Sequence, residues 1–259
     1  MEKGFVLHRS SQVETLAEWL VASLRTARPD DPMKPQTVVV GSRGMERWLR
    51  HRIATLTEEE VCCNIEFPFP ETALAQRLEA LLGPCPGSER WQPDVLAWSV
   101  LRVLSDRGLH GADQVDLWAE VTQWLAGDPP GEGESPESVG GRGWTVAREV
   151  ADVLDRLTRF RPDWLMDTAL PARPDVPGWL RETWRRLEAE APGAHHAARL
   201  AGLSRLPPSG EPRPVLRLFG VSGLPPATLQ TLNLLARHGP VEVFAFVPSE
   251  AWWGDFQSR

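Results

Sequence analysis

Residues 37–53 read TVVVGSRGMERWLRHRI, and this stretch decides the fold class. TVVV is a β-branched run without polar alternation, the pattern of a parallel strand buried on both faces. Gly41 and Ser42 make a tight turn. Met45, Trp48, Leu49, Ile53 and Leu56 then recur at helical spacing and predict an amphipathic helix. A strand, a short turn and a helix N-terminus form the frame on which nucleotide-binding proteins cradle phosphate with backbone N–H groups. The side chains such a site needs are missing. No Gly-Lys-Ser/Thr follows the strand, so no lysine reaches the terminal phosphates and no hydroxyl is supplied for magnesium. A later strand within 215–222, VLRLFGVS, ends on Phe219 and Gly220 where a metal-holding carboxylate is expected. The frame belongs to a nucleotide site and the hydrolytic residues do not. The strand-turn-helix unit is also common enough that coincidence stays open at this point.

On the N-terminal side, Leu16, Ala17, Leu20 and Leu24 follow Val13 as a helical stripe, and ARPDDPMKP breaks it because proline does not donate to a continuing helix. On the C-terminal side, NIEFPFP is a short extended segment stopped by its own prolines. From Glu71 to about Arg205 the pattern is helical, with breaks at 83–90, 127–143 and 171–178. The second break is rich in glycine, proline and acid, and reads as a mobile loop. The helix after it carries the stripe Ala147, Val150, Ala151, Leu154 and Leu157. The α/β signal returns in VLRLFGVS, in LPPATLQTLNLLARHG with prolines at its start and glycine at its end, and in VEVFAFVP. The expected fold is α/β, a parallel-sheet three-layer sandwich built from 1–70 and 210–259, with 71–209 as a large helical insertion.

Bulk properties narrow the function classes. The net charge of -7 over 259 residues argues against a chain-wide nucleic-acid coat but leaves room for a local basic stripe. Nothing approaches the roughly 18 apolar residues of a membrane span, and MEKGFVLHRS lacks a secretory core, so a cytoplasmic location is expected. Cys62, Cys63 and Cys85 show neither a disulfide framework nor metal-ligand spacing and read as idle thiols. The 12 tryptophans beside zero tyrosines are unusual, but several fall at core spacing, so packing explains most of them. No metal or cofactor is expected.

LHRSSQVETLAEWL, VVVGSRGMERWL, NIEFPFP, ADVLDRLTRFRPDWL, LFGVSGLPPATLQTL and WWGDF occur in this order, and the chain that carries them resembles the N-terminal region of the exodeoxyribonuclease V gamma chain family, RecC. RPDWL, FGVSGLPP and WWGDF are the most specific of these motifs. The resemblance implies a helicase-like fold that has lost its ATPase motifs, which agrees with the two losses above. It implies a non-catalytic role in recombinational repair, held in a heterotrimer with RecB-like and RecD-like motor subunits. The 3′-ended single strand of DNA is then guided through a tunnel and screened for a Chi-type hotspot. Members of the family are several times longer, so these residues are expected to form only the first helicase-like module. The rival readings are an active ATP-dependent motor or nuclease fragment, and a protein-interaction scaffold that touches no DNA.

Candidate DNA contacts come from two sources. Arg43, Arg47 and Arg50 lie at i, i+4 and i+7 on one helix face, a spacing suited to phosphates, although a solvated face with Glu46 as counter-ion fits as well. The resemblance carries over Gly41, Arg43, Arg47, Phe69, Asp152, Asp155, Arg156, Arg161 and His196 as tunnel-lining positions. Well-known members carry glutamine- or threonine-type groups around the first turn, whereas Gly41 has no side chain to read a base edge and arginines favour phosphate or guanine. A different hotspot sequence, or none, follows. Asp152, Asp155, Arg156 and Arg159 also suit an i, i+4 ion-pair ladder. RPDWL reads equally as a helix corner in which proline ends the helix, Asp163 caps the next turn and Trp164 packs. His195-His196 reads as a surface pair.

Overall fold

The computed structural model describes residues 4–58, 60–106, 115–126, 136–165, 173–208, 213–221 and 223–247. WWGDF and residues 127–135 of the expected mobile loop lie outside these. The chain divides into two compact units, 1–81 with 206–224 and 228–259, and 82–205 with 225–227.

The first unit is an α/β structure on a five-stranded sheet in which every neighbouring pair is parallel. Its strands are β1 (Phe5–Ser10), β2 (Gln36–Val40), β3 (Ile65–Glu66), β4 (Leu216–Phe219) and β5 (Val241–Phe246), in the order β1-β5-β4-β2-β3. Val38, Val39 and Val40 are fully buried, as their unbroken β-branched run predicts, and β4 is buried along its whole length. β1 lies at the edge, and its Phe5, Val6 and Leu7 stay exposed. Prolines at 68 and 70 hold β3 to two residues on the opposite edge.

Helices α1 (Val13–Thr26) and α2 (Arg43–Leu56) bury Leu16, Leu20, Leu24, Leu49 and Ile53 in one core with Val38, Val40, Phe219 and Phe244. The same core takes up Met45, Trp48 and Leu56 as partly buried members, so both predicted stripes face inward. Gly4 has φ +138, and a Cβ there would lie 1.8 Å from the Ala236 carbonyl oxygen; only glycine fits this entry into β1.

One polar group lies deep beneath α1. Arg217 of β4 is 1% exposed; its Nε donates to Ser23 Oγ at 2.7 Å, its Nη2 to the Ser23 carbonyl at 2.9 Å and its Nη1 to Gln36 Oε1 at 3.2 Å. Glu242, its register partner on β5, sits 3.7 Å away and also accepts from Ser23 Oγ. Burial pulls the guanidinium below its usual range and Glu242 opposes that shift. Satisfied on all sides, the charge ties α1, β2, β4 and β5 together.

The second unit is helical among its described residues: α4 (Pro93–Ser105), α5 (Val115–Ala126), α6 (Pro136–Phe160), α7 (Pro162–Leu165), α8 (Gly178–Glu190) and α9 (His196–Arg205). Between it and the sheet in sequence runs α3 (Pro70–Leu82). Ala147, Val150, Ala151 and Leu154 of α6 are buried with Leu96, Val100, Leu104, Trp118, Trp179 and Trp184, and Leu157 packs against them. Trp19, Trp98 and Trp124 remain 40%, 64% and 45% exposed, while the other described tryptophans pack in or against the two cores, so packing explains most of them as expected.

The expected break at 127–143 is shorter than its composition predicts, because α6 already begins at Pro136. Proline is pre-organised for a first helical turn. The glycines that follow it each disfavour a helix by about 1 kcal/mol relative to alanine. Close packing offsets this: a Cβ at Gly143 would stand 3.6 Å from both Leu101 and Leu125.

Candidate nucleic-acid interface

In chain order the helix after β2 leads to β3 and the helix after β4, α10 (Pro226–Leu235), leads to β5, on opposite sides of the adjacent pair β2 and β4 in the sheet order. The turns after β2 and β4 therefore flank a topological switch point, where open α/β sheets hold ligands at their carboxyl ends. Both turns are occupied by the chain itself. Ser42 caps α2, its Oγ accepting from Met45 N at 3.1 Å, so one N–H that a phosphate would need is already bonded. Gly220, at the end of β4, has φ +61, and a Cβ there would meet Met45 Cε at 3.0 Å. Trp48 packs beside it, 6.1 Å from the Phe219 ring.

The outer surface of the same turn is cationic. Gly41 is exposed with open space where a Cβ would stand. Glu46 bridges two arginines: Arg43 Nη1 donates to Oε2 at 2.8 Å, and Arg50 donates to Oε1 through Nε at 3.2 Å and Nη2 at 3.1 Å. The Arg43 hydrogen bond is the largest effect on the Glu46 carboxyl, and with Arg50 it holds that group below the usual carboxylate range against the opposing effect of burial. Arg47 is exposed and makes no ion pair among the described residues.

Two rings of the FPFP segment carry the flanking arginines. The Arg43 guanidinium lies 5.2 Å from the Phe69 ring centre and that of Arg50 4.8 Å from Phe67. Val40 N donates to the Pro68 carbonyl at 3.1 Å and fixes this segment beside the strand end. The structure thus gathers Gly41, Arg43, Arg50 and Phe69 on one surface, with Arg47 on the same helix. Phe67 is the member the sequence did not single out; its spacing two residues before Phe69 was the available signal.

The remaining positions belong to the second unit, and ion pairs already use most of them. Asp152 pairs with Arg156 at 2.7 Å and Asp155 with Arg159 at 2.9 Å, an i, i+4 ladder along α6. Arg161 binds Asp163 through two hydrogen bonds of 3.1 and 2.9 Å. This Asp163 hydrogen bond raises the Arg161 pKa, and the pairing lowers that of Asp163. Arg161 also lies 4.3 Å from the Trp164 ring centre, with Arg173 at 3.9 Å from the same ring. Arg173 repeats the pairing with Asp175, so two Arg-Pro-Asp turns clamp one indole. The Asp163 carboxylate is thereby committed to Arg161, in place of the expected cap.

His196 opens α9 and is half-buried. Its neighbour departs from expectation: His195 is 3% exposed, not a surface residue. Its ring sits edge-on between Trp91 and Trp184, its Nε2 is 3.1 Å from Glu188 Oε2, and its Nδ1 accepts from Ala198 N at 3.2 Å. Nδ1 therefore caps α9. Cys62, Cys63 and Cys85 are free thiols, Cys63 exposed and the other two half-buried. Among the described residues no cluster of metal-ligating side chains occurs, and no helix is long and apolar enough to cross a membrane.

Comparison with known proteins places these features in a family. The family model of the RecC N-terminal domain matches residues 5–259. The protein named RecBCD enzyme subunit RecC from Mycolicibacterium smegmatis is 30% identical over 98% of this chain and 22% of its own length. Its namesakes from Mycobacterium tuberculosis and Escherichia coli K12 are 29% and 25% identical over 95% and 96% of this chain, each matched over 22% of its own length. The chain thus spans about a fifth of the length of the curated relatives it matches. With a strand-turn-helix frame closed by its own residues and a match along nearly its whole length, this chain belongs to the RecC N-terminal domain family.

Proposed function

We propose that this chain is a non-catalytic, helicase-like module of a RecBCD-type complex that handles single-stranded DNA during recombinational repair. In this reading the sheet unit is the inherited motor domain, a three-layer sandwich, and the helical stretch is an insertion into it. RecB-like and RecD-like subunits are its partners in a heterotrimer. The observation that carries the reading is the filled switch point. Ser42 occupies the α2 N-terminus and Met45 fills the space against Gly220, while the arginines around them face outward. A motor needs that crevice for nucleotide; a strand guide needs only the surface.

Arg43, Arg47 and Arg50 supply phosphate contacts, and Phe69, 38% exposed, supplies a ring on which a base stacks. Gly41 lets the backbone of a strand approach the turn. Asp152, Asp155, Arg156 and Arg161 support the reading less, because Asp152 is paired with Arg156, Asp155 with Arg159 and Arg161 with Asp163, and His196 is half-buried. A single strand that engaged them would first have to displace those pairs. Screening of the 3′-ended strand for a hotspot is the finer form of the same proposal.

Fluorescence titration with a single-stranded oligonucleotide at two salt concentrations tests it. Weak, salt-sensitive binding is expected. Arg43→Ala with Arg47→Ala lowers the slope of log K against log salt by about 0.7 for each phosphate that is no longer neutralised. Wild-type binding by the double variant excludes this surface, and tight magnesium-dependent ATP binding in calorimetry overturns the reading in favour of a motor.

A further inference from the structure

The two edges of the five-stranded sheet are built differently. At one, prolines at 68 and 70 hold β3 to two residues. At the other, β1 runs for six residues without proline, lysine or acid, and Arg9 near its end is its single permanent charge. Prolines, charges and bulges are what normally keep an edge strand from pairing with another chain. Existing hydrogen bonds fix which way the β1 backbone points. Val241 N donates to the Gly4 carbonyl at 2.6 Å and Val247 N to the Ser10 carbonyl at 3.0 Å, at the two ends of the parallel register with β5. The N–H and C=O of one strand residue share a side, and the side alternates along the strand. Val6 and His8 therefore face β5 with Gly4 and Ser10, while Phe5, Leu7 and Arg9 aim three N–H and three C=O groups off the sheet. No strand among the described residues lies beyond them. Phe5, Val6 and Leu7 are 43%, 47% and 51% exposed, so apolar surface flanks the open edge on both faces. Arg9 is exposed and makes no ion pair among the described residues.

We propose that the free edge of β1 takes up an extended segment of a protein partner as a sixth strand, with apolar side chains beside Phe5 and Leu7 and a carboxylate beside Arg9. A row that alternates donors with acceptors is matched by another polypeptide backbone, whereas a DNA backbone offers acceptors and no donors. Main-chain hydrogen bonds supply the affinity of such an added strand, and its side chains supply the choice of partner. Cross-strand pairing sets apolar residues against Phe5 and Leu7 and an opposite charge against Arg9. β1 and β3 are the two ends of the strand order, so this segment and the DNA surface beside β2 and β3 use opposite edges. The inference therefore stands apart from the DNA reading.

The test uses the 259-residue chain, 15N-labelled, and two peptides, Ac-Glu-Thr-Val-Thr-Val-NH2 and its reverse, one for each strand direction. At saturation one of them is expected to slow solvent exchange of the Phe5, Leu7 and Arg9 amides by at least about tenfold, while Val6 and His8, already bonded to β5, change little. Lysine in place of the glutamate should weaken that peptide about threefold, the scale of one cross-strand charge pair, and Arg9→Glu should reverse the preference. Leu7→Pro removes an outward N–H and leaves the β5 pairing intact, because proline is tolerated where an edge N–H faces solvent. Its peptide response is lost while its thermal transition shows that the fold is kept; if that variant unfolds, Arg9→Glu decides. No response to either peptide, equal slowing at odd and even positions, or an unchanged preference in Arg9→Glu would each overturn the proposal. Protection of the same three amides by self-association of the chain alone would assign the edge to a second copy and overturn it too, as would protection by an oligothymidylate.

Discussion

Removing the carboxylate that bridges the basic face of α2 separates a DNA-handling surface from a merely solvated one. Glu46 holds Arg43 at 2.8 Å and Arg50 at 3.1 Å, so the group Arg43, Glu46, Arg47 and Arg50 carries two net positive charges. Glu46→Gln raises this to three and frees both guanidiniums for phosphate. For single strands each neutralised phosphate contributes about 0.7 to the salt slope, so the slope steepens from roughly 1.4 to roughly 2.1. Between 50 and 200 mM salt, wild-type affinity then falls about sevenfold and that of the variant about eighteenfold. The expected result is tighter oligonucleotide binding at low salt and a steeper loss with added salt. The assay is fluorescence anisotropy of a labelled oligonucleotide over a salt series. The helix itself weakens slightly, because two intrahelical pairs disappear. A variant with unchanged affinity and slope, showing only a lower melting temperature, would refute the role of this face and leave Glu46 as an ordinary counter-ion.

Three further outcomes follow from named contacts. Arg217→Met removes the buried cation from the half-buried Glu242 and the Ser23 carbonyl and costs about 3–5 kcal/mol, read from urea denaturation; a loss below about 1 kcal/mol would show that the network is dispensable. Gly4→Ala drives a methyl into the Ala236 carbonyl oxygen at a φ of +138 and costs roughly 1–3 kcal/mol, with loss of amide protection concentrated in β1 and β5. The Arg185 hydrogen bond first, and then Arg186, lowers the Glu182 carboxyl from 4.5 to about 2. Its contribution to stability, on the order of 1 kcal/mol for a surface network, is therefore complete above pH 4.5 and lost as pH falls through about 2. The difference between wild type and Glu182→Gln should be flat at neutral pH and vanish in strong acid.

The sequence by itself determined the elements that follow from local periodicity. Val38 to Val40 announced a buried parallel strand because nothing polar interrupts them, and the stripes of α1, α2 and α6 announced their inward faces. It also showed which side chains the turn lacks, since a lysine absent after a strand is visible without a structure. The ion pairs at i, i+4 on α6 were legible for the same reason, because helical spacing alone brings Asp152 to Arg156.

Only the tertiary structure decided what depends on contacts distant in the chain. Met45 closing on Gly220, Phe67 beneath Arg50 and Glu242 beside Arg217 join residues whose separation in sequence carries no signal. Composition misjudged residues 136–143 because glycine's intrinsic penalty is small against the packing of α6 on Leu101 and Leu125. It misjudged His195 because a polar side chain goes inside once Trp91 and Trp184 flank its ring, the Ala198 N–H donates to Nδ1 and Glu188 lies 3.1 Å from Nε2. Local spacing fixes which face an element shows; only the packed neighbours fix which of its charges are already spent.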